Sequence, residues 1–255
     1  MRVPVPGGAL AGWTTGTAGP RLLLVHGGGV DARIWSEVLD PLAAGCRVAT
    51  YDRRGAGRSR PLPAGDPVAD LRAVRAEVFG TAPAWLLGSS LGATVALAAA
   101  VRYGTAGLVL ESPAFANSPA DRRQAVLRAA AGRGAPALVE AWLGDPHLGP
   151  RRPAARDLLG TVLAANVDLF TAPPAGAFTP PGSDRLRRLT GAGVPVLVLA
   201  GERDAPELLD HYAEVVPAAG GTLVRVPDAG HLVHLDAPDR WRAEVHGFLL
   251  RRSPG

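Results

Sequence analysis

Lysine is missing from this chain of 255 residues, so all 27 of its basic side chains are arginines. The formal charge of +4 sits on guanidinium groups, several of them paired (Arg122-Arg123, Arg151-Arg152, Arg187-Arg188, Arg251-Arg252) among acidic neighbours. Aromatic residues make up only 5% of the chain, and none interleave with the arginines to stack on bases. That pattern describes solvated surface and not a nucleic-acid partner. Cysteine is nearly absent as well. A single Cys46 can form neither an intramolecular disulfide nor a cysteine metal cluster, which favours a reducing compartment. No pair of histidines has metal-ligand context, so no metal is expected. No apolar run is long enough to span a bilayer, and the opening MRVPVPGGALAG lacks a charged-then-apolar signal pattern. No repeat period is present. These absences predict a cytoplasmic protein without a membrane partner, and they leave the oligomeric state open.

With 47% hydrophobic and 20% charged residues, the chain can bury a sizeable core. VPV (3–5) and ALAGWTT (9–15) flank Gly7-Gly8 and read as a hairpin. The runs LLLV (22–25), RVATY (47–51), AWLLG (84–88), GLVLE (107–111), PVLVLAG (195–201) and TLVRV (222–226) follow. They are continuously apolar instead of alternating, as strands buried on both faces of a parallel sheet are. Helical stretches lie between them. One follows Asp31, one follows the cap and first-turn pair Asp66-Pro67, and one follows Ser90; others span about 206–216 and the C-terminal APDRWRAEVHGFLLR. The pattern predicts an α/β fold with a mostly parallel, doubly wound sheet in a single domain over 1–255. Residues 113–188 break it. They hold arginine- and alanine-rich helical pieces with no alternating strands, and predict a small helical cap inserted between two strands.

Chemistry concentrates in LLGSSLGATVALAAA (86–100). A serine hydroxyl attacks a carbonyl only when a base takes its proton and donors hold the resulting oxyanion. A sharp strand-to-helix turn exposes the hydroxyl, but strand and helix then approach so closely that glycine is needed two residues before and two after it. Ser90 meets this rule through Gly88 and Gly92; Ser89, flanked at those distances by Leu87 and Leu91, occupies the variable position. LLLV runs into His26-Gly27-Gly28-Gly29, where backbone N–H groups can approach an oxyanion opposite the N–H of Leu91. PVLVLAGERD places Asp204 at a strand's C-terminal edge, where ligands gather in open α/β sheets. VPDAGHLVHL places His231 after the last strand, completing the order Ser90, Asp204, His231.

These segments make the chain similar to the α/β-hydrolase superfamily along nearly its whole length. The residues that carry the resemblance are His26-Gly27-Gly28 with Trp35, YDRRGAGRS (51–59), GSSLG (88–92), LAGERD (199–204) and AGH (229–231). It is most similar to compact bacterial esterases, enol-lactonases and cofactor-free haloperoxidase-like members. The resemblance implies oxyanion N–H groups from Gly28 and Leu91, with Gly27 as the rival to Gly28. It also implies that DRRGAGRS is a structural turn bracing the active-site loops, with Gly55 and Gly57 signalling a backbone role over anion binding by Asp52, Arg53 and Arg54. The serine at the elbow argues against epoxide hydrolases and dehalogenases of this fold, which carry aspartate there.

Other residues compete for these roles. Glu111, at the end of GLVLE, is the rival to Asp204 as the acid, and His234 is the rival base. His26 is read as a brace for the oxyanion loop, and His147, His211 and His246 as surface or helix residues. Trp142, Phe170 and Phe178 are candidate pocket residues, with ordinary cap packing as the competing explanation. The reading is a serine hydrolase without cofactor, acting on a small or medium, largely uncharged carboxylic ester, thioester or lactone. Its alternatives are perhydrolysis, carbon–carbon cleavage or a lyase on the same scaffold, and a binding protein without turnover.

Overall fold

The computed structural model describes residues 1–118, 123–171 and 178–252. Its strands are β1 (Arg2–Val5), β2 (Gly8–Thr15), β3 (Arg21–Val25), β4 (Arg47–Tyr51), β5 (Trp85–Ser89), β6 (Gly107–Glu111), β7 (Val196–Gly201) and β8 (Thr222–Val226). They form one sheet in the order β1-β2-β4-β3-β5-β6-β7-β8. The β1–β2 hairpin and the β2–β4 pair are antiparallel; every pair from β4 to β8 is parallel.

The continuous apolar runs divide between two cores. In β5, Leu86 faces one side while Trp85 and Leu87 face the other; in β6, Leu108 and Leu110 oppose Val109. Helices α2 (Pro67–Phe79) and α3 (Leu91–Tyr103) cover the first side, joined by α8 (Asp184–Gly191) and α9 (Pro206–Ala218). On the second side lie α1 (Ser36–Ala43), which follows a 3-10 turn at Ala32–Trp35, the short α10 (Val233–Asp236) and the C-terminal α11 (Pro238–Arg252). Asp66 caps α2 by accepting from Val68 N at 2.8 Å, with Pro67 in the first turn as its sequence predicts. The order reverses at β3, which lies between β4 and β5, so the carboxyl ends of β3 and β5 border the crevice where such sheets bind ligands.

Between β6 and β7 come α4 (Arg123–Ala131), α5 (Ala135–Gly144), α6 (Pro153–Ala165) and the short α7 (Asp168–Thr171), ahead of α8. Leu127, Leu138, Trp142, Leu159, Val162 and Leu163 of α4 to α6 are buried in the second core. Helix α8 behaves differently. Its first residues fall inside the expected insert, yet Leu186 and Leu189 join the first core against α3 and β7. Residues 172–177, within the proline-rich TAPPAGAFTPPGS, lie outside the described residues, as do 119–122.

Candidate active site

Ser90 closes β5 and opens α3 with φ 53° and ψ −121°, a left-handed conformation that costs a non-glycine residue free energy. Its N–H donates to Glu111 O at 2.8 Å, and its carbonyl accepts from Ala93 N and Thr94 N. The flanking glycines are explained by contact. A Cβ on Gly88 would run into the backbone of Gly92, and one on Gly92 into the carbonyls of Val25 and His26. Ser89, by contrast, is buried with its Oγ unpartnered.

His231 Nε2 lies 3.0 Å from Ser90 Oγ, and its Nδ1 lies 2.8 Å from Asp204 Oδ2. The three side chains come from the ends of β5, β7 and β8. The loop that brings His231 here is fastened at several points. His231 N donates to His147 O at 2.8 Å, and Asp236 Oδ2 accepts from both Gly230 N and Arg203 Nη2. Arg123, at the start of α4, places Nη1 3.5 Å from Asp204 Oδ1. Burial penalises the Asp204 carboxylate, but the His231 and Arg123 charges and the hydrogen bonds from His231 and Ala205 outweigh it, holding the pKa at about 2. Burial likewise pulls His231 down, while the charge and hydrogen bond of Asp204 raise it to a net value above that of ordinary imidazole.

The loop after β3 meets this group from the other side. An ideal Cβ on Gly27 would lie 3.5 Å from Ser90 Cβ, and one on Gly28 would lie 3.6 Å from Leu91 Cδ2. Among the described residues, neither Gly28 N nor Leu91 N has a protein acceptor. His26 holds this loop. Its Nδ1 pairs with Gly27 O and its Nε2 with Arg53 N, both at 2.9 Å, so the ring is neutral with its proton on Nδ1. Burial and the Arg53 charge depress its pKa to about 3.

A group whose folded pKa is lowered in this way binds its proton more readily in the unfolded chain. Its contribution to stability is therefore lost as pH falls from about 6.5 toward 3. The slope from this one group reaches about 1.4 kcal/mol per pH unit. Urea unfolding of the wild type and His26→Asn across that range is expected to show a steeper pH dependence in the wild type. Equal slopes would mean His26 is not the group responsible.

The alpha/beta hydrolase family model matches residues 22–244. The chain belongs to the alpha/beta hydrolase family. A pimeloyl-[acyl-carrier protein] methyl ester esterase from Edwardsiella ictaluri is 30% identical, over 94% of this chain and 98% of its own length. The same-named esterase of Sodalis glossinidius is 41% identical over 108 residues, and the chain spans only 40% of its length. A malate-bound thermophilic esterase from Thermogutta terrifontis superimposes with a TM-score of 0.80 at 27% identity, covering 99% of both chains.

Within this alpha/beta hydrolase the competing residues have other partners. The Glu111 carboxylate accepts from His234 N at 2.8 Å and meets His234 Nδ1 at 2.8–2.9 Å, forming a buried pair apart from Asp204. His234 packs 4.4 Å from the Trp35 ring. DRRGAGRS is a bracing turn. Asp52 accepts from Ala32 N and Arg58 N, and a Cβ on Gly57, at φ 48°, would collide with its carboxylate. Arg54 is held by a two-point pair with Asp70 and by the carbonyls of Pro6 and Pro63.

Phe170, half-buried on α7, touches Gly29 and meets Trp142 edge-on at 6.0 Å. Trp142 itself is buried in the second core, whereas Phe178 packs against the first. Two residues went unread in the sequence. Asn166 donates to Asp31 Oδ2 and Val162 O and accepts from Gly57 N, and Arg123 reaches Asp204. A lone asparagine or arginine far along the chain carries no local signal for such contacts. A cavity of about 490 Å³ opens elsewhere, beside Trp13, Arg33, Leu39 and Arg58, and contains neither Ser90 nor His231.

Proposed function

We propose that the protein is a serine hydrolase that cleaves a small to medium carboxylic ester, thioester or lactone through an acyl-enzyme. The observation that supports it most is the hydrogen-bonded line from Ser90 Oγ through His231 to Asp204, with Ser90 on a strained turn and the N–H groups of Gly28 and Leu91 without acceptors among the described residues. His231 Nε2 takes the hydroxyl proton as Ser90 Oγ bonds to the carbonyl carbon. Asp204 orients the ring and stabilises its cation, and the two N–H groups hold the oxyanion. The intermediate collapses by expelling the alcohol or thiol, which receives the proton from His231. Water, deprotonated by the same nitrogen, then attacks the acyl carbon and frees Ser90 as the carboxylic acid leaves. A fluorophosphonate is expected to label Ser90 and abolish ester turnover; turnover that survives complete labelling would refute the reading. Peroxide with short carboxylic acids, assayed beside esters, tests for perhydrolysis on the same residues.

Pocket length is readable in a p-nitrophenyl acyl series. Each added methylene is expected to raise kcat/KM, by up to about 0.8 kcal/mol, until the pocket is full, after which activity falls. Rising activity through long-chain acyl groups, or a jump at a lipid–water interface, would point to an open lipase-like surface instead.

The pH profile has a defined sign. His231 must be neutral to accept a proton, so kcat/KM rises with pH through its raised pKa. Burial and the Arg123 charge pull this pKa down; the Asp204 and Glu111 charges push it up. Arg123→Gln removes a downward influence and is expected to move the acid limb to higher pH. A limb that stays in place or moves down would show that the Arg123 charge does not reach His231.

A further inference from the structure

Among the described residues, one cation beside this site has no carboxylate partner. Arg53 follows β4 directly, and its backbone N–H is the donor that fixes His26. Its side chain turns toward the loop after β3, where Nη2 donates to Gly27 O at 2.8 Å. Nε is buried without any partner. No carboxylate pairs with this guanidinium among the described residues, although Arg54, Arg123, Arg152 and Arg203 each have one. The residue is half-buried, so its charge is neither bathed in solvent nor neutralised by protein. Charges withdrawn from water are normally paired. Moreover, the carbonyl it holds belongs to Gly27, the residue that packs on Ser90. Through Gly27 the Arg53 guanidinium is thus two contacts away from Ser90.

We infer that Arg53 is a substrate-binding residue whose partner is a carboxylate on the substrate, so that the preferred ester carries a free carboxylate a few methylenes from the scissile bond. A planar guanidinium suits this role because it offers paired N–H donors matched to carboxylate geometry. The inference rests on the hydrolase reading of Ser90 and His231. It departs from the sequence-based expectation of a largely uncharged substrate, and from the expectation that Arg53, like Asp52 and Arg54, serves only the turn.

The test compares monomethyl and dimethyl esters of succinic, glutaric, adipic and pimelic acids, with acetyl esters of hydroxy acids as a second arm. The wild type is expected to favour the best monomethyl ester over its dimethyl counterpart by about tenfold to a hundredfold in kcat/KM, mainly through KM. Arg53→Gln is expected to remove that preference, with KM rising most for the monoester, and Arg53→Lys to restore part of it. The hydroxy-acid arm reports a carboxylate on the alcohol side if the preference appears there. Equal losses on monoester and diester would reduce Arg53 to a brace for Gly27 and overturn the inference. A wild type that favours the diester overturns it without any variant, should Arg53→Gln fail to fold. Failure of the hydrolase reading looks different: neither ester is cleaved, and fluorophosphonate leaves Ser90 unlabelled.

Discussion

Ser90→Ala is expected to lower kcat by about a millionfold, to the residue of catalysis left by binding and the oxyanion donors. Ser89→Ala is expected to keep most of the activity. The contrast follows from surroundings, since the two side chains are chemically identical. Ser90 Oγ is 3.0 Å from His231 Nε2, whereas Ser89 Oγ is buried and has no partner. Trimming the orphaned hydroxyl back to the alanine methyl removes an unmet hydrogen-bonding demand, so folding stability should hold or rise. Steady-state kinetics with thermal melts on both variants checks the pair. An inactive Ser89→Ala beside an active Ser90→Ala would mean that the turn presents the other hydroxyl.

Asp204→Asn is expected to lower kcat by about ten-thousandfold, because an amide neither holds the ring in the required tautomer nor stabilises its cation. Glu111→Gln should change kcat only modestly. The Glu111 carboxylate lies on His234, not His231, and a glutamine oxygen still accepts from His234 N. Its contribution to His231 is a favourable charge at longer range, the weakest of the influences on that pKa. Melting curves must accompany the rates, since the Glu111–His234 pair is buried and supports the core. A reversed ranking in folded proteins would transfer the acid role to the end of β6.

The parallel sheet could be read because strands packed on both faces leave a continuous apolar signature, and β3, β5, β6 and β7 all carry one. The elbow could be read because its glycines answer to backbone collisions that no other residue relieves. Strand-end context alone could not separate Asp204 from Glu111, because both acids lie at the carboxyl end of an apolar strand; three-dimensional pairing, with His231 and His234 respectively, separates them. The end of the inserted helices was harder to place. DRLRRLTG has the same arginine-rich character as the segments before it, and only its leucines' position against α3 assigns it to the sheet's own layer. Arg53 was grouped with its neighbours for a similar reason: adjacent arginines look alike in sequence, and here one finds Asp70 while the other finds no acid.

The Asn166 side chain has a consequence for engineering by segment exchange. Swapping α4 to α7 for the corresponding helices of another family member would look like a change in substrate preference alone. Yet the outgoing helices take with them the acceptor for Gly57 N and a donor to Asp31, both of which belong to the retained scaffold. Asp31 keeps its Arg33 donors, but the Gly57 N–H loses its acceptor, and a group left without a partner away from water costs about 1–3 kcal/mol. Chimeras that keep an asparagine at the junction after α6 should therefore tolerate widely different helices, whereas chimeras that lose it will misbehave whatever the donor. The modular boundary of this protein is drawn by one amide.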